Sequence, residues 1–260
     1  MDIKRRFLVV TRHGEAPKDP ETKTSLDELM PGSVRNIYVR TGGNLRPFVR
    51  DKGVTLDKSA IAHSGWKRTL ATGKAIIAGA FDLIPIPDTM TDLNGINFSG
   101  VEISFEPRLE YDDLEINWPL IKSIGGDEYN RKWFENPKAN TLEGGKVTPY
   151  NSVLQTRGKC LLDSLGYMIA RGKDLMVLGT HGSIAEALII PVVNSGRNSK
   201  RGAVERFEEI GGQFKMEDVA YIQLDGNDKS GVYDLAVRRN GYTTKGDFNA
   251  LRNMYGGSQQ

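Results

Sequence analysis

The chain has 260 residues, 38% hydrophobic and 26% charged, a size and balance that suit one elaborated α/β domain with its own core. With 35 Lys and Arg against 33 Asp and Glu, the formal charge of +2 points to neither a nucleic-acid nor a membrane surface, so neither is expected as a partner. The single cysteine, Cys160, cannot close an internal disulfide, and no Cys/His cluster has zinc-ligand spacing; a reducing compartment, no metal and no cofactor are expected.

From the N-terminus, "RFLVVT" is a short continuous apolar run, the pattern of a central strand covered on both faces of a parallel sheet. Its apolar part, Phe7 to Val10, is too short for a signal segment or a membrane span, so a soluble, cytoplasmic protein is expected. Residues 64–84 carry Trp66, Leu70, Ile77, Phe81 and Ile84 near helical spacing, and Pro85 ends that predicted helix. A second helix is predicted over 150–171, with Gly172 as its C-terminal stop and Cys160 as a small core residue. "DLMVLGTHG" then reads as a strand ending in polar residues, and "SIAEALIIPVV" as a helix broken at Pro191. "DVAYIQL" and "GVYDLAV" flank the turn "DGNDKSG" as a hairpin, before a last helix near 245–255.

Three stretches interrupt this order as long loops, near 17–53, 85–100 and 194–216. The third contains Arg197, Lys200, Arg201 and Arg206 among Gly, Ser and Asn, which reads as a solvated loop. Residues 256–260 read as a disordered tail, leaving 1–255 as a single domain with inserted loops. Strands alternating with helices predict a layered α/β fold.

In such a sheet ligands bind outside the carboxyl ends of the strands, and "TRHG" and "GTHG" both fall at such ends. Two of the three histidines, His13 and His181, therefore stand in His-Gly pairs after apolar strands, where Gly14 and Gly182 let the backbone approach a ligand. Arg12 indicates what that ligand is, because a guanidinium is permanently charged and its fork of donors matches phosphate oxygens. Its charge also depresses the pKa of a neighbouring imidazole, keeping a lone pair available for attack. His63 reads as a structural or rim residue, while Trp66 suits either a pocket cap or the core.

"TRHGE" resembles the signature of the phosphoglycerate mutase-like branch of the histidine phosphatase superfamily, and "LGTHGS" resembles its second histidine motif. "HSGWKRTLATGKAI" is similar to the family's segment supplying a second phosphate-binding arginine, which would be Arg68, with Arg108 as the alternative. "FEPRLEYDD" resembles the segment that carries the acid, with Glu110 nearest the expected place and Asp112 or Asp113 as substitutes. The resemblance implies a three-layer α/β/α sandwich with a mostly parallel central sheet. It also implies catalysis by His13, Arg12, Arg68, Glu110 and His181, with Gly14, Glu15, Gly182 and Ser183 at the substrate.

By that resemblance His13 attacks phosphorus and becomes a phosphohistidine, while an initially protonated Glu110 supplies the leaving oxygen with its proton. Water as acceptor makes the protein a phosphatase acting on a small phosphomonoester or a phosphoprotein. A second substrate hydroxyl makes it a mutase, although the 17–53 and 85–100 stretches resemble no mutase lid. A third reading is a catalytically silent relative that binds a phosphorylated ligand or protein. Substrate identity is not legible, and a homodimer is left open.

Overall fold

A computed structural model describes residues 3–18, 27–196 and 214–256. The expectations for Arg197, Lys200, Arg201, Arg206, most of the 194–216 stretch and the tail beyond Gly256 lie outside them. In chain order the elements are β1 (Lys4–Arg12), α1 (Ser33–Asn36), a π-helical turn (Ile37–Gly42), α2 (Gly43–Lys52), β2 (Ser59–His63), α3 (Lys67–Ala80), α4 (Met90–Leu93) and β3 (Glu102–Phe105). There follow α5 (Trp118–Ile124), α6 (Gly126–Glu135), the short strands β4 (Thr141–Leu142) and β5 (Gly145–Lys146), α7 (Tyr150–Arg171), β6 (Leu175–Thr180) and α8 (Gly182–Ser195). The chain closes with β7 (Val219–Asn227), β8 (Val232–Arg239), β9 (Tyr242–Asp247) and α9 (Phe248–Tyr255).

Seven strands form one sheet in the order β3-β2-β6-β1-β7-β8-β9. The half β3-β2-β6-β1 is parallel, and β7 to β9 complete it as an antiparallel meander. Successive residues of β1 serve opposite layers, as a strand alternates its side chains. Leu8 and Val10 join the core under α7, α8 and α9, whereas Val9 joins Ile61, Val177 and the buried faces of α2 and α3. The fold is thus the expected three-layer α/β/α sandwich.

Several local expectations are corrected. The supposed loop 17–53 is helical from Ser33 to Lys52: Gly32 and Gly53 turn the chain at its two ends with φ of 81° and 60°, while Gly42 packs against α3. A Cβ on Gly42 would lie 2.6 Å from the Gly79 Cα, and one on Gly79 would collide with the Tyr38 carbonyl oxygen, so the two backbones approach only without side chains. Within the 85–100 stretch α4 forms one helical turn, held by a capping box between Thr89 and Asp92. The α8 helix is not broken at Pro191. An interior proline costs about 3 kcal/mol, but every α8 residue except Asn194 is buried, and each large aliphatic side chain returns about 1.5–3 kcal/mol. The predicted last helix begins only at Phe248, with Asp247 accepting from the Ala250 amide. The preceding "YTTKGD" is an edge strand whose mostly exposed, polar residues lack the alternation that marks a half-buried strand.

Helix α3 is shorter than the predicted 64–84. It starts at Lys67, where the Asp27 carboxylate accepts from the amides of Lys67 (3.1 Å) and Arg68 (3.2 Å) and satisfies two orphan donors. Helix α7 spans the predicted residues and stops at Gly172, whose φ of 61° is the left-handed conformation that glycine adopts without strain.

Candidate active site

Strand register assembles the site. β1 and β6 are parallel neighbours with Arg12 opposite Thr180, so His13 and His181 leave adjacent strand ends, and the His13 amide donates to the Thr180 carbonyl (3.0 Å). β2 lies on the other side of β6 with His63 opposite Gly179, which brings Ser64 and the start of α3 to the same crevice. β3 pairs with β2 and delivers the turn 107–109 and then Glu110.

His13 is buried, its ring centroid 5.2 Å from that of His181. Its Nδ1 lies 2.7 Å from the Gly14 carbonyl oxygen, and a carbonyl only accepts, so the proton of the neutral ring sits on Nδ1. The lone pair is therefore on Nε2. Burial, and next the charge of Arg68, hold the His13 pKa down at about 3; the bond to Gly14 opposes this, while His181 and Arg12 add to it. Gly14 cannot be enlarged, since a Cβ there would collide with Ser33 and come within 2.9 Å of Ile37.

Arg12 donates from one terminal nitrogen to the Phe214 carbonyl (2.6 Å), and its buried Nε has no acceptor among the described residues. A buried guanidinium donor without an acceptor suits a bound anion. The Arg68 guanidinium stacks 4.6 Å over the Trp66 ring, close enough to His13 to depress its pKa. Arg108 is committed elsewhere: Nε and one terminal nitrogen bind Glu106 (both 2.8 Å), and the other binds Asp163 (2.6 Å). Of the two alternatives, the structure places Arg68 in the crevice.

The carboxylates separate in the same way. Glu110 is buried and lies 3.1 Å from His181 Nε2, while Asp113 is paired with Arg157 and Asp112 is exposed. Burial raises the Glu110 pKa, but the hydrogen bond and charge of His181, with the Tyr111 amide (2.9 Å), leave it below the usual carboxylate range. With no phosphate bound, its own surroundings thus favour the ionised form of Glu110. His181 precedes the first turn of α8, and its Nε2 is also 2.9 Å from the Ser64 hydroxyl.

Among the remaining candidates, Gly182 packs against Arg12, where a Cβ would stand 3.4 Å from the guanidinium carbon. The Ser183 hydroxyl donates to Asn130 (2.7 Å), and Glu15 is exposed, its carbonyl accepting from the Met30 amide (2.7 Å). Trp66 stands at the mouth, its ring 5.8 Å from His181. His63 is half-buried and accepts from the Gly65 amide, outside the cluster. Cys160 is buried in the core, where burial first pushes its thiol up to about 12. Sequence reading missed the wall formed by Tyr111, Trp118 and Asn130, because aromatic and amide residues on an amphipathic insertion carry no local sign of the crevice they face.

A mixed sheet with two strand-end histidines, a buried carboxylate and two arginines at one crevice defines a three-layer α/β protein. Among solved structures it is similar to "Mycobacterial hydrolase 1" (TM-score 0.52, 15% identity, 93% of this chain and 100% of that chain). It is likewise similar to mycobacterial glucosyl-3-phosphoglycerate phosphatase (TM-score 0.52, 16% identity, 91% of this chain and 99% of that chain). No family model matches the sequence, and no curated protein matches it. The chain has the fold of the phosphoglycerate mutase-like histidine phosphatases.

Proposed function

We propose that the protein hydrolyses phosphomonoesters through a phosphohistidine on His13. The observation that carries the reading is the His13 ring, whose Nδ1 proton is given to Gly14 while burial and nearby cations keep Nε2 unprotonated at neutral pH. Nε2 attacks phosphorus in line, the P–N bond forms, and the P–O bond to the alcohol breaks. Arg12, Arg68 and His181 hold the equatorial oxygens and stabilise the charge spread over them. Glu110 protonates the departing oxygen, then takes a proton from the water that cleaves the P–N bond.

Glu110 needs a proton at the moment of attack, although its neighbours hold it ionised. A phosphate dianion bound beside it raises its pKa, and His181 turning toward that phosphate weakens the bond that lowers it. The acid is then charged with its proton only when substrate is present. Water is favoured as acceptor over a second substrate hydroxyl because the 17–53 and 85–100 stretches resemble no mutase lid.

Radiolabelled phosphomonoester tests the reading. Wild type is expected to turn over and to leave an acid-labile, base-stable adduct, and His13→Ala to do neither while staying folded. An undiminished adduct in His13→Ala overturns the nucleophile, and phosphate binding without turnover by wild type marks a silent relative.

A further inference from the structure

Beside the two-histidine crevice is a cavity of about 180 Å³ between the start of α8 and the α5–α6 insertion. One side is formed by Arg12 and Gly182, the neighbours of His13 and His181, and the other by Tyr111, the residue after Glu110. A group esterified to a phosphate held by Arg12 and His181, with its bridging oxygen at Glu110, is thereby directed into this space.

The walls are mostly aromatic and aliphatic, with Ile116, Trp118, Ile121, Tyr129 and Trp133 around Tyr111 and Asn130 as a polar member. The Tyr111 ring stands 5.4 Å from His181 and 6.1 Å edge-on from Trp118, and Tyr129 stands 5.8 Å from Trp133. Among the described lining residues Arg12 is the one with a charged side chain, and the Ser183 hydroxyl is already given to Asn130. A second anionic group entering here would lose hydration with no further cation among the described lining residues to replace it, which disfavours its entry. A flat ring loses little conformational entropy and stacks on such walls. A cavity of roughly 150 Å³ with apolar walls accepts one benzene ring, so the space here holds a single ring and little more.

We infer that this cavity is the leaving-group subsite and that the substrate is the monophosphate ester of one uncharged, largely apolar ring, best matched by an aryl ring. The inference rests on the phosphatase reading only for which end of the substrate the cavity receives.

Calorimetric titration with non-hydrolysable phosphonates tests it without turnover. Benzylphosphonate, isosteric with phenyl phosphate, is expected to bind at least tenfold more tightly than ethylphosphonate, and 2-carboxyethylphosphonate no more tightly than ethylphosphonate. Ile121→Trp, which fills the cavity, should reduce the benzyl preference to twofold or less. Because that variant overpacks a partly buried position, Trp118→Ala provides a second measurement at a half-exposed wall residue, with an expected severalfold loss of the preference. Equal binding of benzyl- and ethylphosphonate, a preference for the carboxylate, or a benzyl preference untouched in both folded variants overturns the ring subsite. If the protein binds benzylphosphonate with the ring preference yet never hydrolyses phenyl phosphate or labels His13, the phosphatase reading falls and the subsite stands. If it turns over methyl and phenyl phosphates without any ring preference in binding, the subsite falls and the phosphatase reading stands.

Discussion

Arg157, fully buried in α7, donates to the carbonyl oxygen of Glu110 at 2.8 Å and grips Asp113 with two further hydrogen bonds of 2.8 and 2.6 Å. The chain at and after Glu110 is therefore held by one guanidinium, and the residue before it by the Thr180 hydroxyl, which donates to the Leu109 carbonyl (2.7 Å). Arg157 never touches the crevice itself. It acts by positioning the turn from which Glu110 reaches His181.

Arg157→Met should cost about 2–4 kcal/mol of stability in urea unfolding, since it strands a buried carbonyl and breaks charge-assisted bonds. If the arginine positions the acid, the folded variant should also lose at least tenfold in kcat on an alkyl phosphate and much less on p-nitrophenyl phosphate. Equal loss on both substrates would reduce its role to stability alone.

The two arginines that local sequence leaves interchangeable should separate by activity. Removing a donor that clamps the reacting phosphate costs about 10²–10³ in rate. Arg68→Ala is expected to show that loss in kcat/KM. Arg108→Ala should instead lower the melting temperature, through its bonds to Glu106 and Asp163, and reduce kcat/KM less than tenfold. A reversed ranking in steady-state kinetics would contradict the geometry.

Glu110→Gln should betray a general acid by its dependence on the leaving group. With an alkyl phosphate the substitution should cost about 10²–10⁴. With p-nitrophenyl phosphate, whose leaving group departs as a stable anion, burst kinetics should show far less slowing of phosphoenzyme formation. Uniform slowing would make Glu110 an anchor for His181. Unchanged rates, with Asp112→Asn or Asp113→Asn slowed instead, would move the acid along the loop.

Glu186, buried in the second turn of α8, makes stability depend on pH. One carboxyl oxygen accepts from the Phe214 amide (2.6 Å), and the other is buried with no partner among the described residues. Burial pushes its pKa up to about 8, against the pull of that amide and of Arg239 and Arg12. The unfolded chain releases this proton near 4.5, so between about 4.5 and 8 the folded state holds one proton more, and stability falls as pH rises through that window. The decline is at most about 1.4 kcal/mol per pH unit. Glu186→Gln keeps an acceptor for Phe214 and removes the titration, so its stability relative to wild type should grow from pH 5 to pH 8 in urea melts. A pH-independent difference would show that Glu186 is ionised in the folded protein.

What the sequence determined by itself was local chemistry. The apolar run before Arg12 and His13, the second run before His181, the helix ending at Gly172 and the hairpin around 225–231 are each encoded within a few residues. Strand burial, helix stops and turns follow from periodicity and backbone freedom over such short windows. Tertiary structure decided what depends on partners distant along the chain. Arg108 is withdrawn from the crevice by Asp163, Glu110 rather than Asp113 faces His181 because Arg157 claims the aspartate, and Gly42 meeting Gly79 packs a stretch that reads as loop against α3 as helix. Pro191 stays helical because α8 is enclosed on nearly every side. A charged side chain has several chemically equivalent partners along the chain. Which one it meets is set by strand register and helix packing, and these exist only once the layers have closed.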